Sequence, residues 1–156
     1  MEINMKRKLK VYLDTSVISA LFDEKNPERK SLTEAFFKEI GGFDSFISEI
    51  TIAEIDRTPD NELKNKMREV IKQFSFLTVN NEVEWLANQY IQNGAIPESY
   101  PEDAYHIAMA VIHQIDYLLS WNFKHIVKRK TKDMVRMVNT LNNLRQVEIM
   151  TPAELL

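Results

Sequence analysis

The chain has 156 residues, 44% hydrophobic and 28% charged, with a net charge of −3. This is the balance of one soluble globular domain with a real core, neither disordered nor polycationic. The absence of cysteine excludes disulfides and thiolate metal sites, and three glycines in all (Gly41, Gly42 and Gly94) exclude the clustered glycine loops of dinucleotide and Walker phosphate sites.

The first predicted element is the buried strand Val11-Tyr12-Leu13, led in by the basic residues Lys6, Arg7, Lys8 and Lys10 and ending at Asp14. Basic-then-apolar order superficially resembles a secretory leader, but Asp14 interrupts the apolar run and no small-residue cleavage site follows. No uncharged apolar segment reaches bilayer length either, so a cytoplasmic protein without a membrane span is expected. Thr15 or Ser16 is expected to cap a helix to about Phe22, and Asp23 to Pro27 reads as a loop. An amphipathic helix over Glu28 to Ile40 ends at Gly41-Gly42, and Phe43 to Ser48 is the second strand.

Ser48 caps a helix carrying Ile50, Ala53, Glu54 and Ile55, which breaks at Pro59. A charged helix follows over Asn61 to Phe74, then a strand over Phe76 to Val79 and a helix over Glu82 to Gln92. Asn93 to Tyr100 is a loop, and Pro101, Glu102 and Asp103 suit the first turn of a helix that continues to Ile115. Asp116 to Ser120 is the fourth strand, Lys132 to Leu144 a helix, Val147 to Ile149 an edge strand, and Thr151-Pro152 opens a terminal turn. Alternating strands and helices predict a single α/β domain over residues 1–156, with a mostly parallel sheet of four to five strands covered on both faces.

Ligands of open parallel sheets bind at the C-terminal edge of the strands, and three acids are placed to reach it. Asp14 ends the first strand, and Glu54 lies about two turns into the helix after the second. Asp103 opens the helix that precedes the fourth strand, so only the long loop before it can bring it there. The alternative for each acid is a cap or a solvated surface residue. Glu49 and Asp56 are assigned to the surface, and His113 and His125 have no metal-ligand spacing. His106 stands one turn beyond Asp103, where it steadies that acid or touches a phosphate; otherwise it is a histidine satisfied by a backbone carbonyl. Trp121 and Phe123 are either base-stacking or core residues. Lys124, Lys128, Arg129 and Lys130 form a basic strip that holds a nucleic-acid backbone or is simply a solvated face.

Four short segments occur in an order that resembles the PIN-domain ribonucleases, especially VapC-like toxins of prokaryotic toxin–antitoxin pairs. They are Val11-Tyr12-Leu13-Asp14-Thr15-Ser16-Val17, Ser48-Glu49-Ile50-Thr51-Ile52-Ala53-Glu54-Ile55, Asp103-Ala104-Tyr105-His106-Ile107-Ala108 and Leu118-Leu119-Ser120-Trp121-Asn122-Phe123. The resemblance implies a three-layer PIN-like sandwich, with Asp14, Glu54 and Asp103 as catalytic acids and Ser16 in a supporting hydrogen bond. It also implies an RNA substrate, an antitoxin partner and a homodimer. Asn122 departs from it, because many relatives carry a fourth acid at that place. An amide can coordinate a hard cation or orient a water, but it adds no charge.

A site of oxygen donors without cysteine suits Mg²⁺ or Mn²⁺, held by Asp14 and Asp103 directly or through water, with Glu54 completing the shell or orienting the attacking water. Asn122 motivates an alternative, a catalytically weak PIN-fold module that binds RNA or a protein. A dehalogenase-type phosphoryl-transfer enzyme ranks last, because Ser16 stands where that chemistry wants a second Asp.

Overall fold

A computed structural model describes residues 7–156, so Lys6 of the basic lead-in lies outside the described residues. Five short strands, β1 (Lys10–Leu13), β2 (Asp44–Ser48), β3 (Ser75–Leu77), β4 (Tyr117–Leu119) and β5 (Glu148–Met150), form one sheet in the order β3-β2-β1-β4-β5. Every pairing is parallel, with Tyr12 opposite Phe46 on one side and Leu118 on the other. Strand β1 is central, and Val11, Tyr12 and Leu13 are fully buried, as expected for a strand covered on both faces.

The two-residue alternation of a strand divides the core. Tyr12 and Leu118 face α5 (Asn81–Gln92), α6 (Pro101–Ile112) and α7 (Arg129–Leu141). Val11, Leu13 and Leu119 face α1 (Thr15–Ala20), α2 (Pro27–Lys38), α3 (Glu49–Asp56) and α4 (Asn61–Ile71). The result is three layers, helices on both sides of a parallel sheet, as the alternation of elements predicts. No helix among the described residues is long and apolar enough to cross a membrane.

Local chemistry explains where the elements begin. Ser48 caps α3 as expected, its hydroxyl accepting the Ile50 N–H at 3.1 Å while Thr51 reaches back to the Ser48 N–H. At α1 the expected cap is corrected. Asp14 itself is the cap, with Oδ1 accepting the Val17 N–H at 3.3 Å, and Ser16 turns its hydroxyl back onto Asp14. Helix α7 starts at Arg129 rather than Lys132, so Arg129 and Lys130 lie in its first turn, with Lys128 at the cap position. Positive charge there opposes the helix dipole, which is why the sequence signal for that start points the other way.

The sheet's N-terminal edge is tied down by Asp116. Its carboxylate accepts from the Lys10 N–H at 2.8 Å, from Arg7 at 3.1 Å and from Arg145. Burial pushes this acid up, but the Lys10 N–H and the two guanidinium groups outweigh it and hold it below the usual carboxylate range. An acid whose folded value is depressed adds stability above its unfolded value and loses it as the pH falls through the folded one. Asp116→Asn is therefore expected to lower stability at pH 7 by about 1–3 kcal/mol. In urea melts the gap from wild type should close below about pH 4, where the unfolded acid titrates. A gap that is constant with pH would contradict this assignment.

Candidate active site

Asp14 leaves the end of β1 and is 3% exposed. Its Oδ1 accepts the Ser16 hydroxyl and its Oδ2 the Ser120 hydroxyl, each at 2.5 Å. The same two serines fasten the chain leaving β4, since Ser16 Oγ accepts the Trp121 N–H at 2.8 Å and Ser120 Oγ the Asn122 N–H at 2.9 Å. The Asp14 N–H in turn donates to the Leu119 carbonyl at 3.2 Å. Asp14 is thus held at the seam between β1 and β4. Burial drives its carboxyl above the usual range; His106 and the two serines oppose that rise without cancelling it, and the charge on Glu54 adds to it.

Glu54 projects from α3 toward the same edge. Its Oε1 accepts the Thr15 hydroxyl at 2.8 Å and the His106 Nε2–H at 2.5 Å. His106 is 2% exposed, and its Nδ1 stands 2.6 Å from the Tyr12 hydroxyl, which lies 2.7 Å from Ser48 Oγ. Burial disfavours the charged imidazole, but Tyr12, Glu54 and Asp14 together outweigh it and lift His106 well above its ordinary value. A charged ring donates from both nitrogens, to Glu54 and to Tyr12, which leaves the Tyr12 hydroxyl to donate a hydrogen bond to Ser48 Oγ. Burial likewise pushes Glu54 up, but His106, Thr15 and Arg57 hold it below the usual range. His106 is therefore hydrogen-bonded to Glu54 and Tyr12 rather than to a backbone carbonyl, and its charge also acts on Asp103, as expected of a residue that steadies that acid.

Asp103 lies in the first turn of α6. The loop before it reaches the edge because Ala95 and Ile96 are buried as anchors, and the Ala95 carbonyl accepts the Thr131 hydroxyl at 3.4 Å. Asp103 Oδ2 pairs with His125 Nδ1 at 2.9 Å. Burial raises its carboxyl above the usual range; His125 and His106 only partly offset this, and Glu54 reinforces it. His125, given no role from spacing, is the partner that sequence reasoning missed.

Asn122 explains how His125 comes to be there. Its Oδ1 accepts the His125 N–H at 2.9 Å, and its carbonyl accepts the N–H groups of Ile126 and Val127 at 3.0 and 2.8 Å. The amide oxygen thus helps to fold the turn that delivers His125. Lys124 on this turn, and Lys128, Arg129 and Lys130 beyond it, are all exposed.

The three carboxylates lie near enough for Glu54 to act electrostatically on both Asp14 and Asp103. Even so, among the described residues no three His, Asp or Glu side chains stand at the spacing of a shared ligand set. Glu54 is turned into His106 and Asp103 into His125. The donor set nevertheless fits a hard divalent cation. It is all oxygen, and its two most strained acids, Asp14 and Asp103, are those whose ionised forms a cation would relieve. Mg²⁺ commonly takes one or two carboxylates and keeps waters for the rest.

The three-layer α/β domain thus gathers acids and hydroxyls at the C-terminal edge of its parallel strands. The chain belongs to the PIN domain family, whose profile matches residues 11–125, from β1 through His125. No curated protein matches it. Among solved structures, a chain of the VapBC2 complex from Rickettsia felis bound to a DNA fragment from their promoter is similar, with a TM-score of 0.55 at 13% identity over 90% of this chain and 97% of that one. A chain of VapBC-1 from nontypeable Haemophilus influenzae gives 0.60 at 13% identity, over 92% and 98%. At that identity the likeness concerns the fold.

Proposed function

We propose that this protein is a divalent-metal-dependent endoribonuclease, the toxin of a type II toxin–antitoxin pair. The observation that carries it is the gathering of Asp14, Glu54 and Asp103 at one sheet edge within a PIN domain. The fold shared with chains of two VapBC complexes supports an antitoxin protein as partner, and the resemblance in sequence extends to a homodimer.

Asp14 and Asp103 would hold Mg²⁺ or Mn²⁺, which when bound acidifies a water and stabilises charge on the phosphoryl oxygens. Glu54, held by His106 and Thr15, would complete the shell or orient the attacking water. Ser16 and Ser120 hold the Asp14 carboxylate in one rotamer. Lys124, Lys128, Arg129 and Lys130 supply the backbone contacts, with α7's positive end adding to their field. The commitment of the Asn122 amide to a turn favours a second reading, a catalytically weak module that binds RNA or a protein.

Incubating the protein with single-stranded and structured RNA separates the two. The nuclease reading expects cleavage with Mn²⁺, no cleavage with EDTA, and none by Asp103→Asn protein. Cleavage that persists in EDTA, or RNA left intact with either metal, contradicts it.

A further inference from the structure

Two large aromatic side chains stand about half exposed on the segments that carry the partners of Asp14 and Asp103. Tyr100 is 44% exposed and Phe123 is 49% exposed, both on the turns that position the acids. Tyr100 immediately precedes α6, and its ring lies 4.2 Å from that of His125, the partner of Asp103. Phe123 follows Asn122 in the turn that begins at Ser120, a partner of Asp14. The turn from Ser120 to His125 therefore meets Asp14 through Ser120 and Asp103 through His125, with Phe123 on the turn and Tyr100 against its His125 end.

Each ring is also paired with a cation. Lys124 Nζ lies 5.9 Å from the centre of the Tyr100 ring, and the Arg29 guanidinium lies 5.7 Å from that of Phe123. Trp121 is different. It is only 8% exposed and donates its indole N–H to Thr33 at 2.9 Å, so it is a core residue that backs Phe123 at 6.2 Å. Beside Arg29 runs an open groove of about 410 Å³ whose lining includes Lys25, Asn26 and Leu32. An exposed ring with a buried aromatic or imidazole behind it and a cation alongside has what one nucleotide needs: a flat apolar face for the base and a positive charge for its phosphate.

From this juxtaposition we infer that Phe123 and Tyr100 are two base-stacking platforms that hold unpaired nucleotides of an RNA single strand on either side of the carboxylates, with Arg29 and Lys124 on the adjoining phosphates. The inference rests on the RNA reading above and adds to it the side chains that select unpaired over paired bases. A duplex hides its base faces in its own stack, so the platforms favour single strands whatever their sequence.

The test is fluorescence anisotropy of a labelled oligoadenosine, its duplex with oligouridine, and an abasic oligomer, all in EDTA so that no strand is cut. Phe123→Leu and Tyr100→Leu are each expected to weaken single-strand binding about tenfold while leaving duplex and abasic binding unchanged. Phe123→Tyr and Tyr100→Phe should restore wild-type affinity. Lys124→Ala should instead flatten the salt dependence by nearly one phosphate contact for every oligomer. Equal weakening on the abasic strand, affinity unchanged by both leucine variants, or no single-strand binding by wild type overturns the inference. Separate cleavage assays with Mn²⁺ keep the two questions apart. RNA left intact by a protein whose binding follows this pattern counts against the nuclease alone, and cleavage by a protein whose binding ignores the rings counts against the platforms alone.

Discussion

Asp14→Asn protein is expected to lose cleavage by about 1,000-fold and yet to melt at a higher temperature than wild type when both are free of metal. The two effects share one cause. Asp14 is buried at the β1–β4 seam, and burial holds its carboxyl above the usual range. A raised folded value means that the folded state prefers the protonated acid. The associated stability is complete below the unfolded value and is lost as the pH climbs through the folded one. At pH 7, above the unfolded value, the buried acid therefore costs the fold stability that an uncharged side chain of the same shape would not. Asparagine has the same shape, carries no charge, and can still meet the Ser16 and Ser120 hydroxyls, because both rotate to donate or accept. What it removes is the negative charge that a cation requires. Calorimetric melts in EDTA at pH 7 check the stability half, and a variant that melts below wild type would contradict it.

The second large effect is expected at His106. Replacing it with leucine should lower stability by about 3–5 kcal/mol, the usual consequence of breaking one side of a buried ion pair. Glu54 would keep only the Thr15 hydroxyl, and the Tyr12 hydroxyl would keep only Ser48. Cleavage should fall about 10- to 100-fold in addition, as it does when the group that orients a metal-site carboxylate is lost. The pH dependence identifies the cause. His106 is raised well above its ordinary value, so its contribution is complete below the unfolded value near 6.5 and is lost as the pH rises through the folded one. Wild type should therefore lose stability on the alkaline side of neutrality, and His106→Leu protein should lack that loss. Parallel pH profiles would mean that His106 only fills space. Tyr12→Phe, which removes one hydroxyl and keeps the ring, should cost far less.

The order of elements, the parallel sheet and the edge at which Asp14 and Glu54 emerge are all legible in the sequence, because hydrophobic period and caps are local signals. Asp103 is legible only in part. Its helix precedes a strand, and the buried anchors Ala95 and Ile96 that return the loop to the edge look like any other apolar residues. The histidine pairings are not legible. His106 meets Glu54 across 52 positions and His125 meets Asp103 across 22, separations that carry no local period. Asn122 looks like a missing acid, and only the coordinates reveal that its amide folds the turn behind Asp103. The start of α7 is hidden by Lys128, Arg129 and Lys130, whose charges oppose a helix N-terminus.

Isothermal titration of Mn²⁺ into wild-type protein, and into the Asp14→Asn/Asp103→Asn double variant, puts the oxygen-lined edge to its most direct test. Saturable binding by wild type that disappears in the double variant is the predicted result. Equal Mn²⁺ binding by the two proteins would contradict it and move the metal, and with it the reaction, elsewhere on the molecule.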